Sequence, residues 1–145
     1  MLHVYAGHHV VGACLVPSVE SFSESTKERG PWLLLAASDG LGKRVPLREF
    51  RMTSRSAAGV IGIKMNPGVS LVNVHVVEED VDDQQSGDEA VNECMLASSS
   101  GMISRIALKD ISVYSRTAKG LRITRLAAAD TLSSITPCKY RHFSA

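Results

Sequence analysis

The sequence predicts an all-β fold built from a repeated, four-stranded unit. Three observations carry this reading. The chain resembles itself at a fixed offset of 61 positions, and each copy has a hairpin signal at the same place. No apolar pattern keeps helical spacing over a useful length.

The offset comes first. Laid over residues 96–121, residues 35–60 are identical at ten of 26 positions, including Gly40/Gly101, Arg44/Arg105, Ser54/Ser115, Arg55/Arg116 and Gly59/Gly120. The same offset sets SLVNVHVV (70–77) over TLSSITPC (131–138) and, run backwards, HVVGACLV (9–16) over 70–77. The apolar opening therefore reads as the tail of a preceding copy. It lacks the basic leader of a secretory signal, and histidines interrupt it. Polar linkers precede the second and third copies. Without them the unit shrinks to about 45 residues, the size of a four-stranded blade. The expected organisation is a tail strand or strands (1–17), a linker loop (18–31), a blade (32–77), an acidic loop insert (78–92), a last blade (93–138) and a C-terminal tail (139–145).

Within each blade the local signals follow in order. WLLLAAS, Asp39-Gly40 and GKRVPL read as strand, turn, strand, because Asp and Gly both tolerate positive φ. CMLASSSGMISRIAL repeats this with Gly101 at the turn. A polar loop then ends at Gly59 or Gly120, and VIGIKM or LRITRL alternates as a third strand. Leu121, Ile123 and Leu126 are expected to face inward, and Arg122 and Thr124 outward. A short turn leads to the fourth strand. Trp32 opens the first strand and is expected in the core.

The net charge of +1 conceals blocks. Residues 35–65 carry six bases and two acids, and residues 95–126 carry six bases and one acid. Between them, residues 78–93 carry eight acids and no base. Clustered positive charge points to a polyanionic partner, with a solvated face as the plain alternative. The three cysteines, Cys14, Cys94 and Cys138, form no CxxC and sit in apolar runs, so reduced, buried thiols in an intracellular compartment are expected. The longest apolar run, WLLLAA, is too short to span a membrane.

No metal is expected: His8 and His9 are adjacent, so on a strand they would point to opposite faces. No catalytic residue is expected either, since no nucleophile, base and orienting group share a recognisable spacing. DGLGKR contains Gly-x-Gly-Lys without the spacing of a phosphate loop.

The runs GKRVPLREFR, SRSAAGV and GMISRIALKDISVYSRTAKGLRITRL closely resemble the C-terminal domain of the DNA gyrase A subunit. Topoisomerase IV is a weaker match. The acidic insert and GPWLLL resemble the organellar gyrases of plants and algae. The resemblance implies a propeller-like β-pinwheel: about two four-stranded blades plus part of a third, with two polar loops and strands shared between neighbours. It implies that a basic rim wraps double-stranded DNA without reading sequence and so contributes to supercoiling. The DNA-binding candidates are Lys43, Arg44, Arg48, Arg51, Arg55 and Lys64 in one copy, with Arg105, Lys109, Arg116, Lys119, Arg122 and Arg125 in the next. Arg44 and Arg105 recur at one strand position, where a structural role is an equal expectation. Gly40, Gly59, Gly101 and Gly120 are expected to serve turns and loops.

The partners implied are the rest of the gyrase A subunit and the gyrase B subunit, with ATP and Mg used elsewhere in the full enzyme and no cofactor or membrane contact here. A plastid, a mitochondrion or a bacterial-type cytoplasm is the implied location. The family's glycine- and arginine-rich wrapping motif is absent; SRSAAG and SRTAKG match only its degenerate later form. The three tyrosines do not match the context of the family's cleavage tyrosine, so the chain reads as a segment without catalysis of its own. The alternative is a propeller-type protein-interaction module with no DNA role.

Overall fold

The computed structural model describes residues 7–16, 31–54, 57–77 and 91–139. Residues 1–6, most of the linker loop (18–30), most of the acidic insert (78–90), Arg55, Ser56 and the tail after Lys139 lie outside the described residues.

Seven strands appear among the described residues. They are β1 (Trp32–Ala37), β2 (Leu41–Pro46), β3 (Leu71–Val77), β4 (Val91–Ser98), β5 (Ile103–Ala107), β6 (Leu121–Arg122) and β7 (Leu132–Lys139). Short 3-10 turns at Leu47–Glu49 and Leu108–Asp110 follow β2 and β5. The strands form two antiparallel sheets, ordered β3-β1-β2-β6 and β5-β4-β7.

The 61-residue offset holds down to the register. Trp32 pairs with Pro46 and Val77, and Glu93 pairs with Ala107 and Cys138. Each central strand breaks register at the equivalent step, Ala36/Ala37 and Ala97/Ser98. Each hairpin turns on a glycine with positive φ, Gly40 at 80° and Gly101 at 86°. Asp39 stabilises its turn through Oδ1, which accepts the Leu41 N–H at 3.2 Å.

One element departs from the local reading. VIGIKM forms no strand, and LRITRL forms only the two residues of β6. β6 does not join its own repeat. It pairs with β2 of the first sheet, Leu41 with Arg122 and Gly42 with Leu121. The second repeat thus supplies the first sheet's fourth strand. Because β6 lies at an edge, Leu121 is 51% exposed instead of facing inward, whereas Ile123 and Leu126 do pack on the core. Residues 9–16 also depart from expectation. They form no strand and are exposed, although Gly12 lies against Asn73 and Val74. β1 offers β3 a ladder and β4 offers β7 one; 9–16 have no such partner among the described residues.

The main core lies between the two sheets. Trp32, Leu34, Ala36 and Val77 of the first meet Cys94, Leu96, Leu132 and Ile135 of the second, together with Leu108 and Ile111 from the turn that follows β5. A second cluster of Leu35, Ala37, Val45 and Ile63 backs the first sheet. Both faces of β1 are therefore apolar, as expected for a strand covered on both sides. Cys94 is buried and Cys138 half-buried, but Cys14 is exposed with the rest of 9–16, contrary to the expectation of three buried thiols.

The turn before β7 holds the one non-glycine residue with positive φ among the described residues, Ala129 at 65°. Its counterpart 61 positions earlier is Gly68, at 78°. An L-residue other than Gly, Asn or Asp pays steric strain in this region. Ala129→Gly is expected to raise stability by roughly 0.5 kcal/mol, the relief of strain outweighing the added freedom of the unfolded chain. Chemical denaturation of the two proteins measures this.

Candidate nucleic-acid interface

The loop SRTAKG, residues 115–120, links the second repeat to β6. Its conformation is set by a residue of the other repeat. Lys43 lies on β2, fully buried, and its Nζ donates to the carbonyl oxygens of Ser115 at 2.7 Å, Arg116 at 2.9 Å and Ala118 at 2.7 Å. An ammonium has three N–H groups, and three carbonyls take all of them. Burial pushes the Lys43 pKa down to about 8, with Glu49 pulling it partly back. Glu49 also accepts the Arg116 N–H through Oε2 at 2.9 Å. Gly120 closes the loop at φ 87°, so near β2 that a Cβ would stand 2.5 Å from the Gly42 carbonyl oxygen.

Arg44, the next residue, is bound into the same junction. Its Nε donates to the Ile111 carbonyl at 2.6 Å, and its guanidinium stacks over the Trp32 ring at 4.7 Å. Its backbone exchanges hydrogen bonds with Ser112 and Tyr114. Lys43 and Arg44 were candidates for DNA contact. Both are buried with their charged groups turned onto backbone carbonyls, so they hold the blades together and do not reach a duplex on the surface. Arg105, at the position of Arg44, is half exposed and lies 3.1 Å from Glu93, which stands where Trp32 stands in the first repeat. That ion pair rests on proximity, since Glu93 Oε2 receives no well-directed hydrogen bond.

The remaining candidates lie at the surface. Arg48, Arg51, Lys64, Lys109, Lys119, Arg122 and Arg125 are exposed, and Arg116 is half-buried. The loop gathers three of them at the seam between repeats. The Lys64 N–H donates to the Ala118 carbonyl at 3.1 Å, Lys119 Nζ donates to Asn66 Oδ1 at 2.6 Å, and Arg116 Nη1 donates to the Ile61 carbonyl at 3.2 Å. Glu49 brings the stretch bearing Arg48 and Arg51 to the same loop. The contacts place Lys64 from one repeat beside Arg116 and Lys119 from the other, a concentration of positive charge that neither repeat makes alone.

The sequence reading missed one polar cluster. Asp130, before β7, accepts hydrogen bonds from Ser99 Oγ at 2.7 Å, Ser100 Oγ at 2.7 Å and the Ser100 N–H at 3.0 Å. Donors from Ser98, Ser100 and Ser99 hold its carboxyl well below the usual range. The cluster ties the β4–β5 turn to the turn before β7. The available signal was the run Ser98–Ser100 where the first copy has Ser38-Asp39. Among the described residues no three His, Cys, Asp or Glu side chains form a metal-binding group, and no helix is long and apolar enough to cross a membrane.

A sequence model described as DNA gyrase C-terminal domain, beta-propeller, matches residues 31–78 and 92–139, one stretch for each repeat. The chain belongs to the DNA gyrase C-terminal domain family. It is 41% identical over 115 residues to the A subunit of a probable chloroplastic/mitochondrial DNA gyrase of Oryza sativa, covering 79% of this chain and 12% of that protein. The Arabidopsis thaliana chloroplastic/mitochondrial counterpart is 35% identical over 133 residues, covering 89% of this chain and 14% of that one. The gyrase A subunit of a Synechocystis strain is 35% identical over 117 residues, covering 80% of this chain and 12% of that one. The chain therefore spans about an eighth of the length of these relatives. The solved DNA gyrase A C-terminal domain superposes with a TM-score of 0.61 at 25% identity, over 77% of this chain and 34% of that one. The C-terminal domain of topoisomerase IV superposes at 0.63 with 18% identity, over 78% of this chain and 31% of that one, and shows the shared fold. Both repeats are thus gyrase-type β-propeller blades that share a strand.

Proposed function

We propose that this segment binds double-stranded DNA through its phosphates, as part of the wrapping surface of a gyrase A subunit. The observation that carries the reading is the seam: a loop locked by Lys43 presents Arg116 and Lys119 next to Lys64. Wrapping needs several weak phosphate contacts along a curved path, not base readout. Lys and Arg on loops meet that need, and their affinity falls steeply as salt rises. Family membership supports the same reading. In the full enzyme the segment works with the remainder of the A subunit and with the B subunit, and supercoiling with its ATP and Mg requirement belongs to that assembly. The plant organellar and cyanobacterial relatives support an organelle or a bacterial-type cytoplasm as the location.

The test is titration of the full chain with random-sequence duplexes, followed by fluorescence anisotropy over a salt series. Binding independent of sequence is expected, with a log–log slope of about −2 to −4 in salt. The triple variant Lys64→Glu/Arg116→Glu/Lys119→Glu is expected to flatten the slope by roughly 2 units or more. Absence of binding at about 50 mM salt would instead favour a protein-interaction module whose basic rim meets an acidic partner.

A further inference from the structure

One acid stands among the cations of the seam. Glu49 lies in the short turn after β2, beside the exposed Arg48 and close to the exposed Arg51. A carboxylate on a surface that meets phosphates repels the ligand, so an acid with no other task there would only weaken binding.

Glu49 has another task. Its Oε2 accepts the Arg116 backbone N–H at 2.9 Å. The carboxylate thus holds the backbone of Arg116, while the guanidinium turns to the Ile61 carbonyl, which accepts from Nη1 at 3.2 Å. That contact uses one of the five N–H groups of a guanidinium, so the fork keeps donors for phosphate oxygens. The Arg116 carbonyl is held as well, by Lys43 Nζ at 2.9 Å. Two side chains of the first repeat, one of each charge, therefore clamp the two backbone polar groups of one residue of the second. The clamp also offsets its own charge. Glu49 attracts the Lys43 ammonium and pulls its pKa upward against burial. An acid paired with a base in this way fixes Arg116 without adding net negative charge to the surface.

We propose that Glu49 is a positioning residue for DNA binding: it aims Arg116 at the duplex and does not touch the duplex itself. This role rests on the phosphate-binding reading above and extends that reading to a residue of the opposite charge. If the Arg116 N–H is freed, the loop must be ordered again when DNA binds. Fixing the backbone of one residue is worth roughly fivefold or more in affinity. Removing one surface carboxylate returns less, because salt screens exposed charges. The sign of the change therefore separates the two roles. Loss of an acid that merely repels DNA tightens binding, and loss of an acid that positions Arg116 weakens it.

Fluorescence anisotropy of the full chain with random-sequence duplexes tests this. Glu49→Ala is expected to weaken binding roughly fivefold although it removes a negative charge. Glu49→Gln keeps an acceptor oxygen and is expected to bind at least as tightly as the wild type. In both variants the salt slope is expected to stay within about half a unit of the wild-type value, because the same cations meet phosphates once bound. In an Arg116→Ala background, Glu49→Ala is expected to change affinity by less than about twofold, since no guanidinium is left to aim. Without DNA, hydrogen exchange at the Arg116 amide is expected to speed up roughly tenfold in Glu49→Ala and to change little in Glu49→Gln. Trp32 fluorescence checks that the core is intact in each variant. A Glu49→Ala chain that binds as tightly as the wild type, or more tightly, would overturn the role and leave the DNA-binding reading in place. So would a Glu49→Gln chain as weak as Glu49→Ala, an undiminished effect in the Arg116→Ala background, or an unchanged Arg116 exchange rate. A wild-type chain that binds no duplex would overturn the DNA-binding reading and this role with it.

Discussion

Lys43→Met is expected to lower the stability of the chain by about 3 kcal/mol and to release the 115–120 loop. Hydrogen bonds from a charged donor contribute roughly 1.5–3 kcal/mol each, and Lys43 makes three. The depressed pKa shows what opposes them. A fall from 10.5 to about 8 is a net disadvantage of about 3 kcal/mol for the charged form, burial outweighing the attraction of Glu49. Met fills the volume of the lysine stem but leaves three carbonyls without a donor. Denaturant titration measures the loss, and amide exchange at residues 115–120 locates it. A loss under about 1 kcal/mol would mean that the ammonium does not hold the loop. The pH dependence has a definite sign. Between about 8 and 10.5 the unfolded chain keeps a proton that folded Lys43 has released. The unfolded state then binds more protons, so this group makes stability rise with pH across that window. The variant is expected to lack that slope.

Gly120→Ala is the second large effect, at roughly 3 kcal/mol. Two penalties combine. Alanine at φ 87° carries left-handed strain of about 1–2 kcal/mol. Its Cβ would also stand 2.5 Å from the Gly42 oxygen and 2.9 Å from the Gly42 carbonyl carbon, both backbone atoms that a rotamer change cannot move aside. Displacing them disturbs the β2–β6 pairing and adds about 1–3 kcal/mol. Gly59→Ala provides the internal control. It has the same motif position and a similar φ, 78°, but open space around the Cβ, so only the strain of about 1 kcal/mol is expected. Thermal denaturation of the two variants side by side checks the difference. Equal losses would show that the contact with Gly42 contributes nothing.

Much of this architecture is legible in the sequence. The hairpin at Asp39-Gly40 and its copy at Gly101 follow from turn chemistry, because only a few residue types accept positive φ. The 61-residue offset carried the equivalence of the two sheets, and the structure repeats it down to the register break in each central strand. The candidate interface was legible as a list of cations but not as a surface. Lys43 and Arg44 read as two more basic residues, yet both are buried at a junction between repeats. A local pattern assigns a side chain to one face or the other of its own sheet. It does not show that a neighbouring loop will cover that face and turn its carbonyls inward.

Local sequence dictates what each repeat does with its own chain: strand, turn, strand, a glycine-closed loop, and a returning strand. These follow from local φ preferences and from apolar alternation, which act over a few residues. The family resemblance implies that neighbours share strands, but local patterns do not say which edge takes the strand after the loop; long-range packing sets that. β6 belongs to the second repeat by sequence and to the first sheet by hydrogen bonding. The outer edge of β2 accounts for this pairing. It offers unpaired backbone groups and an ammonium, and the SRTAKG loop satisfies both at once.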